Sequence, residues 1–119
     1  MESNVILQAR NISKRFGGVV ALTDVNFSID RGEIHALVGE NGAGKSTMMK
    51  ILAGVYQPDC GELILDGSII NFKNPKEAAE KGVSIVFQEL NLFPKLSVYR
   101  NIFINRELKN IIHYWIPKE

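Results

Sequence analysis

Val25-Asn26-Phe27-Ser28-Ile29 alternates apolar and polar positions without a break, which predicts a half-buried strand. Val5 to Arg10 alternates in part and predicts another. Two other stretches, Ile34-His35-Ala36-Leu37-Val38 and Val83-Ser84-Ile85-Val86-Phe87, are apolar along both faces, as strands of a parallel sheet are. Lys45 to Ala53 places apolar residues at 48, 51, 52 and 55, the spacing of a helix with one buried face, and Gly54 follows as its C-cap. Turn chemistry divides these elements. Lys14-Arg15-Phe16-Gly17-Gly18 reads as a loop with an exposed aromatic, and Asp30-Arg31-Gly32-Glu33 and Pro58-Asp59-Cys60-Gly61 read as turns. Glu62 to Leu65 and Ser68 to Phe72 flank Asp66-Gly67, a two-residue hairpin signal. Asn74, Pro75 and Glu77 mark the start of a short helix that Gly82 ends. After a loop over 89–96, Ser97 opens a helix from Val98 to about Ile104, and 108–119 is weakly patterned.

Composition narrows the class. The chain has 119 residues, 45% hydrophobic and 23% charged, with a net charge of +1, enough for one domain or part of one. The near-neutral balance argues against a nucleic-acid-binding surface. No apolar run approaches the ~18 residues that span a membrane, and Met1-Glu2-Ser3-Asn4 does not begin a signal peptide. A single cysteine, Cys60, rules out an internal disulfide and points to a reducing compartment; it reads as a turn residue rather than a reactive thiol. His35 reads as a hydrogen-bonded structural histidine, and no His/Cys cluster has metal spacing.

The chemistry concentrates in Gly39-Glu40-Asn41-Gly42-Ala43-Gly44-Lys45-Ser46-Thr47, between a predicted strand and a predicted helix. It matches the P-loop pattern G-x-x-x-x-G-K-[ST]. A polyphosphate needs many donors in a small space. Glycines at 39, 42 and 44 let the backbone curl and bring its amides to the phosphates, the amides of Asn41, Ala43 and Thr47 included. The helix start adds unsatisfied N–H groups. Lys45 supplies a full charge for the β- and γ-phosphates, and the Ser46 hydroxyl a place on Mg²⁺.

A P-loop names a superfamily, not a function. Phe16 lies 29 residues before Lys45, and Gln88 lies 43 residues after it. With Ala21-Leu22, Gly32-Glu33, Gly61-Glu62 and Asp66-Gly67, this pattern over 5–107 resembles the nucleotide-binding domain of ATP-binding cassette (ABC) transporters. The stretches from Gly32 to Asn41 and Ile51 to Tyr56, together with Gln88-Glu89-Leu90, Leu96-Ser97-Val98 and Asn101-Ile102-Phe103, are most similar to ATPase subunits of bacterial monosaccharide importers of the ribose/galactose/xylose class. The resemblance implies an α/β P-loop NTPase fold. An antiparallel β segment (1–33) leads to the P-loop core (34–96), and 97–119 begins a helical subdomain. It implies that Phe16 stacks on adenine, with a core phenylalanine as the alternative. Gln88 reaches Mg²⁺ and the attacking water, so that Lys45 and Gln88 serve catalysis and Ser46 and Gln88 the metal. The loop 89–97 would meet the transmembrane permease subunits. A second cassette, and indirectly a substrate-binding protein, complete the assembly on the cytoplasmic face of the membrane, with no nucleic acid.

Two stretches imitate a Walker B motif. In Leu63-Ile64-Leu65-Asp66 the following Gly67 favours a hairpin, and in Ile85-Val86-Phe87-Gln88-Glu89 glutamine stands where the metal-holding aspartate belongs. Walker B, the Leu-Ser-Gly-Gly-Gln signature, the D-loop and the switch histidine are therefore expected beyond 119. Arg100 stands where the family usually offers Glu, and the tail matches poorly. The expected function is ATP binding in an ATPase that powers carbohydrate import. A non-hydrolysing nucleotide-binding module and a soluble ABC-type ATPase stay open as alternatives.

Overall fold

The computed structural model describes residues 4–89 and 92–104, so the weakly patterned tail 108–119 lies outside the described residues. The chain divides into two compact units, Met1–Val86 and Phe87–Glu119. In the first, β1 (Val5–Phe16) and β2 (Val19–Asp30) form an antiparallel hairpin. β3 (Cys60–Leu65) pairs with the other edge of β1, and β4 (Ser68–Ile70) with β3, so the sheet runs β2-β1-β3-β4 and is antiparallel throughout. The β3–β4 connection is the Asp66-Gly67 turn, so Asp66 is a turn residue; it pairs with Arg31.

Both long strands run past the stretches that alternate in sequence, because each carries a bulge that shifts the alternation by one residue. Ala9 faces Phe27 and Ile12 faces Val25, so β1 holds one extra residue there, at Asn11. Lys14 then faces Leu22, so β2 holds the next extra residue, at Asp24. Both bulge residues have positive φ, tolerated by Asn and Asp. Their side chains lock the bulges together. Asn11 Nδ2 donates to Asp24 Oδ1 at 2.6 Å, Ser13 Oγ accepts from the Asp24 amide at 2.9 Å, and Asn26 Oδ1 accepts from the Asn11 amide at 3.0 Å.

Helix α1 (Lys45–Leu52) forms over the predicted range and buries the predicted face. Met48, Ile51 and Leu52 pack with Leu7, Ala9, Ile12, Leu22 and Leu63 in one core. Ile51 is fully buried, and truncating such a residue to alanine costs about 2–5 kcal/mol. Past α1 the amide of Gly54 bonds the carbonyl of Ile51 and that of Val55 the carbonyl of Lys50, the paired bonds of a Schellman end. Helix α2 (Pro75–Glu80) starts as expected, the Asn74 side chain accepting from the Glu77 amide at 2.9 Å. The Glu77 carboxylate reaches one residue further back, to the Lys73 amide.

Two expected strands are corrected. Residues 34–38 and 83–87 are not β-strands. A strand exists through its neighbours' hydrogen bonds, and the ladders among the described residues join only β1 to β4. Ile34, Val38 and Val86 accordingly stand almost wholly exposed. His35 is held as expected, its Nδ1 2.8 Å from Glu33 Oε1 and its ring edge-on to Phe27. The Asp30 amide and then His35 hold the Glu33 carboxyl below its ordinary value. Cys60 is exposed and free, but it opens β3 opposite Ser13 instead of filling a turn.

In the second unit α3 (Val98–Ile102) is shorter than expected, and Ser97 caps it by accepting from the Arg100 amide at 3.3 Å. Asn101 ties down the described residues just before it. Asn101 Oδ1 accepts from the Phe93 amide at 2.8 Å, and its Nδ2 donates to the carbonyls of Leu96 and Ser97, each at 3.0 Å, and of Phe93 at 3.2 Å. No helix of the described residues is long and apolar enough to cross a membrane.

Candidate functional site

Residues 39–44 form a turn that runs straight into α1, whose first residues are Lys45, Ser46 and Thr47. The Ala43 amide bonds the Glu40 carbonyl, and Gly42 and Gly44 take left-handed backbone with φ of 84° and 88°. Gly44 is confined twice over. A Cβ there would lie 2.6 Å from Leu22 Cδ2 and 2.7 Å from the Ala21 carbonyl oxygen, so the loop is pressed on β2. Gly39 is not among the glycines with positive φ. A Cβ at 39 would lie 3.2 Å from Ala43 Cβ, a tight approach, and 3.7 Å from Lys45 Nζ, an ordinary contact.

Lys45 folds back over the loop. Its Nζ donates to the Glu40 carbonyl at 2.6 Å and to the Gly39 carbonyl. The ammonium is thus held by neutral acceptors, weaker partners than charged phosphate oxygens. No side chain caps the start of α1, and no acidic residue stands in its first turn. The Ser46 side chain is exposed there and Thr47 is half-buried. Open amides at a helix start, with a cation beside them, attract anions and repel nothing that is negative.

Phe16 ends β1 and is 41% exposed. The sheet brings it to the loop's side, since Gly44 touches Leu22, Leu22 faces Lys14, and Phe16 lies two residues further along β1. Two residues that the sequence did not single out contact it, and a third holds one of them. The Tyr56 ring lies 5.0 Å from the Phe16 ring at 65°, and Lys14 Nζ lies 5.4 Å from the Phe16 centroid. Asp59 anchors Lys14 at 2.8 Å and accepts from the Arg15 amide at 2.7 Å. The Lys14 contact and then the Arg15 amide hold the Asp59 carboxyl below its ordinary value. Gln88 stands exposed at a bend in the second unit. No group of three or more His, Cys, Asp or Glu among the described residues could hold a metal.

Residues 22–117 match the family model described as "ABC transporter". The chain belongs to the ABC transporter family. The ABC relatives are specific in kind. The chain is 55% identical over 92% of its length to the "putative ribose/galactose/methyl galactoside import ATP-binding protein 2" of Rhizobium meliloti. It is 50% identical over 92% of its length to the "ribose import ATP-binding protein" of Hahella chejuensis. It spans about a fifth of these curated relatives, 21% and 22% of their lengths. Among solved ABC structures, it is similar to a nucleotide-free ATP-binding cassette (TM-score 0.78, 32% identity, 97% of this chain and 48% of that one). It is also similar to an ATP-binding cassette in its ADP conformation (TM-score 0.74, 30% identity, 98% of this chain and 49% of that one). The ABC fold expected from the sequence is therefore the fold of this chain.

Proposed function

We propose that the chain is the ATP- and Mg²⁺-binding part of an ATPase that couples hydrolysis to monosaccharide import. The observation that carries this is the 55% identity, over 92% of the chain, to a protein named as a ribose/galactose/methyl galactoside import ATP-binding protein. The loop geometry supports it. The amides of Asn41 to Thr47 and the Lys45 ammonium take the polyphosphate, Lys45 exchanging two carbonyl partners for charged oxygens. Phe16 offers its exposed face to adenine, as an aromatic that needs no base-specific bonds.

Mg²⁺ fits the donors present. It keeps several waters and binds through few protein groups plus substrate phosphates. The Ser46 hydroxyl, exposed in the first turn of α1, suits that role, and Gln88 is the second donor we assign. When bound, Mg²⁺ neutralises charge on the β- and γ-phosphate oxygens. The permease subunits would dock on the loop 89–97, and a second cassette would close over the nucleotide. The assembly would lie at the cytoplasmic face of the membrane, with a substrate-binding protein acting through the permease.

Lys45→Ala tests the assignment. It removes charge-assisted contacts worth roughly 1.5–3 kcal/mol, so ATP affinity should fall tenfold or more. Unchanged affinity in a calorimetric titration would sink it.

A further inference from the structure

A flat platform works only if its plane is fixed, and Phe16 ends a strand with much of its ring in solvent. Tyr56 meets that ring edge to face, 5.0 Å between centroids and 65° between planes. Tyr56 is itself anchored. It packs half-buried against the core, its amide bonds the Lys50 carbonyl at 3.2 Å, and Lys50 Nζ lies 5.6 Å from its ring centroid. It follows the Schellman end of α1, the helix whose first turn carries Lys45 and Ser46. One rigid element therefore holds the phosphate loop at its start and the neighbour of Phe16 just past its end.

We propose that Tyr56 is a positioning residue for recognition of the nucleotide base, resting on the assignment of Phe16 as the adenine platform. Edge-to-face contact is the preferred geometry of an aromatic pair, and it restricts the rotation of the Phe16 ring. Tying that ring to α1 also fixes the distance between the base and phosphate positions. The ligand selected is then a planar base joined to a polyphosphate, in preference to a polyphosphate alone.

The test is titration of the 119-residue chain with ATP and, separately, with inorganic triphosphate, followed by NMR so that weak binding is read. Tyr56→Leu, which keeps apolar bulk against the core, should weaken ATP about two- to tenfold and leave triphosphate within about twofold. Tyr56→Phe, which keeps the ring, should match the parent for both ligands. Phe16→Ala is the control and should weaken ATP selectively. If Phe16→Ala leaves ATP unchanged, or weakens both ligands alike, the platform assignment itself fails. If Phe16→Ala is selective but Tyr56→Leu weakens neither ligand or both equally, the role of Tyr56 is overturned. Circular dichroism monitors folding, with Tyr56→Met as a second aliphatic variant. If both aliphatic variants unfold, Tyr56 is a core residue and the inference fails.

Discussion

Gly44 concentrates the constraints on the loop in one residue. Its backbone is left-handed, its Cα lies against Ala21 and Leu22, and its carbonyl accepts the first hydrogen bond of α1, from Met48. Gly44→Ala should cost about 1–2 kcal/mol for the left-handed backbone alone. The contact at 2.7 Å with the carbonyl oxygen of Ala21 adds to this, because a backbone oxygen cannot rotate away as a side chain would. The expected result in thermal unfolding is a melting temperature lowered by several degrees. A melting curve equal to the parent's would mean that the loop does not rest on β2. Gly42→Ala, with nothing within 4 Å of the added carbon, should bear the backbone term without the clash.

At the scale of elements, the carboxylate of Asp59 joins the approach to β3 to the end of β1. It bonds Lys14 Nζ and the Arg15 amide, while its own amide bonds the Ser13 carbonyl. Because its pKa is lower folded than unfolded, its contribution is complete above the unfolded carboxylate value. It is lost as the pH falls below about 4 and through the folded value. Denaturant unfolding between about pH 3 and pH 6 should therefore show a steeper loss of stability in the parent than in Asp59→Asn. Parallel profiles would remove the tie. In the second unit, Asn101→Ala deletes the side-chain bonds that Asn101 makes to Phe93, Leu96 and Ser97 ahead of α3. Several hydrogen bonds of modest net worth, about 0.5–1.5 kcal/mol each, disappear together. Hydrogen exchange at the Phe93 amide, bonded to Asn101 Oδ1, should quicken by tenfold or more. Unchanged protection would show that the loop holds its shape by other means.

At the scale of the molecule, the chemistry and the exposed surface point the same way. Hydrolysis needs a carboxylate near Mg²⁺ and a group that orients water. Asp66 is a hairpin residue paired with Arg31, and no acidic residue stands in the first turn of α1. The 119 residues also contain no Leu-Ser-Gly-Gly-Gln stretch, so a second copy could not supply one. Ile34, Leu37, Val38 and Val86 are exposed and belong to no ladder, which favours association through apolar surface and unpaired backbone. The purified 119-residue chain should elute as oligomers and release phosphate from ATP at the background rate. Steady turnover that vanishes in Lys45→Ala would show that this chain carries a complete site.

What the sequence determined by itself is what depends on near neighbours. The loop from Gly39 to Thr47, α1 with its buried Met48, Ile51 and Leu52, the Asp66-Gly67 turn and the Asn74 cap are set by spacings of a few residues. The family was legible for the same reason, since its motifs are short and contiguous. The tertiary structure decided whatever needs a partner far along the chain. The continuity of β1 and β2 through Asn11 and Asp24 is invisible in the alternation, because each bulge resets its phase and only the cross-strand bonds reveal it. The contact of Tyr56 with Phe16 joins residues forty positions apart, and no periodicity links them. The same dependence explains the two strands that did not form. Residues 34–38 and 83–87 have the composition of buried strands, but a strand is made by the neighbour that bonds it, and among the described residues neither has one.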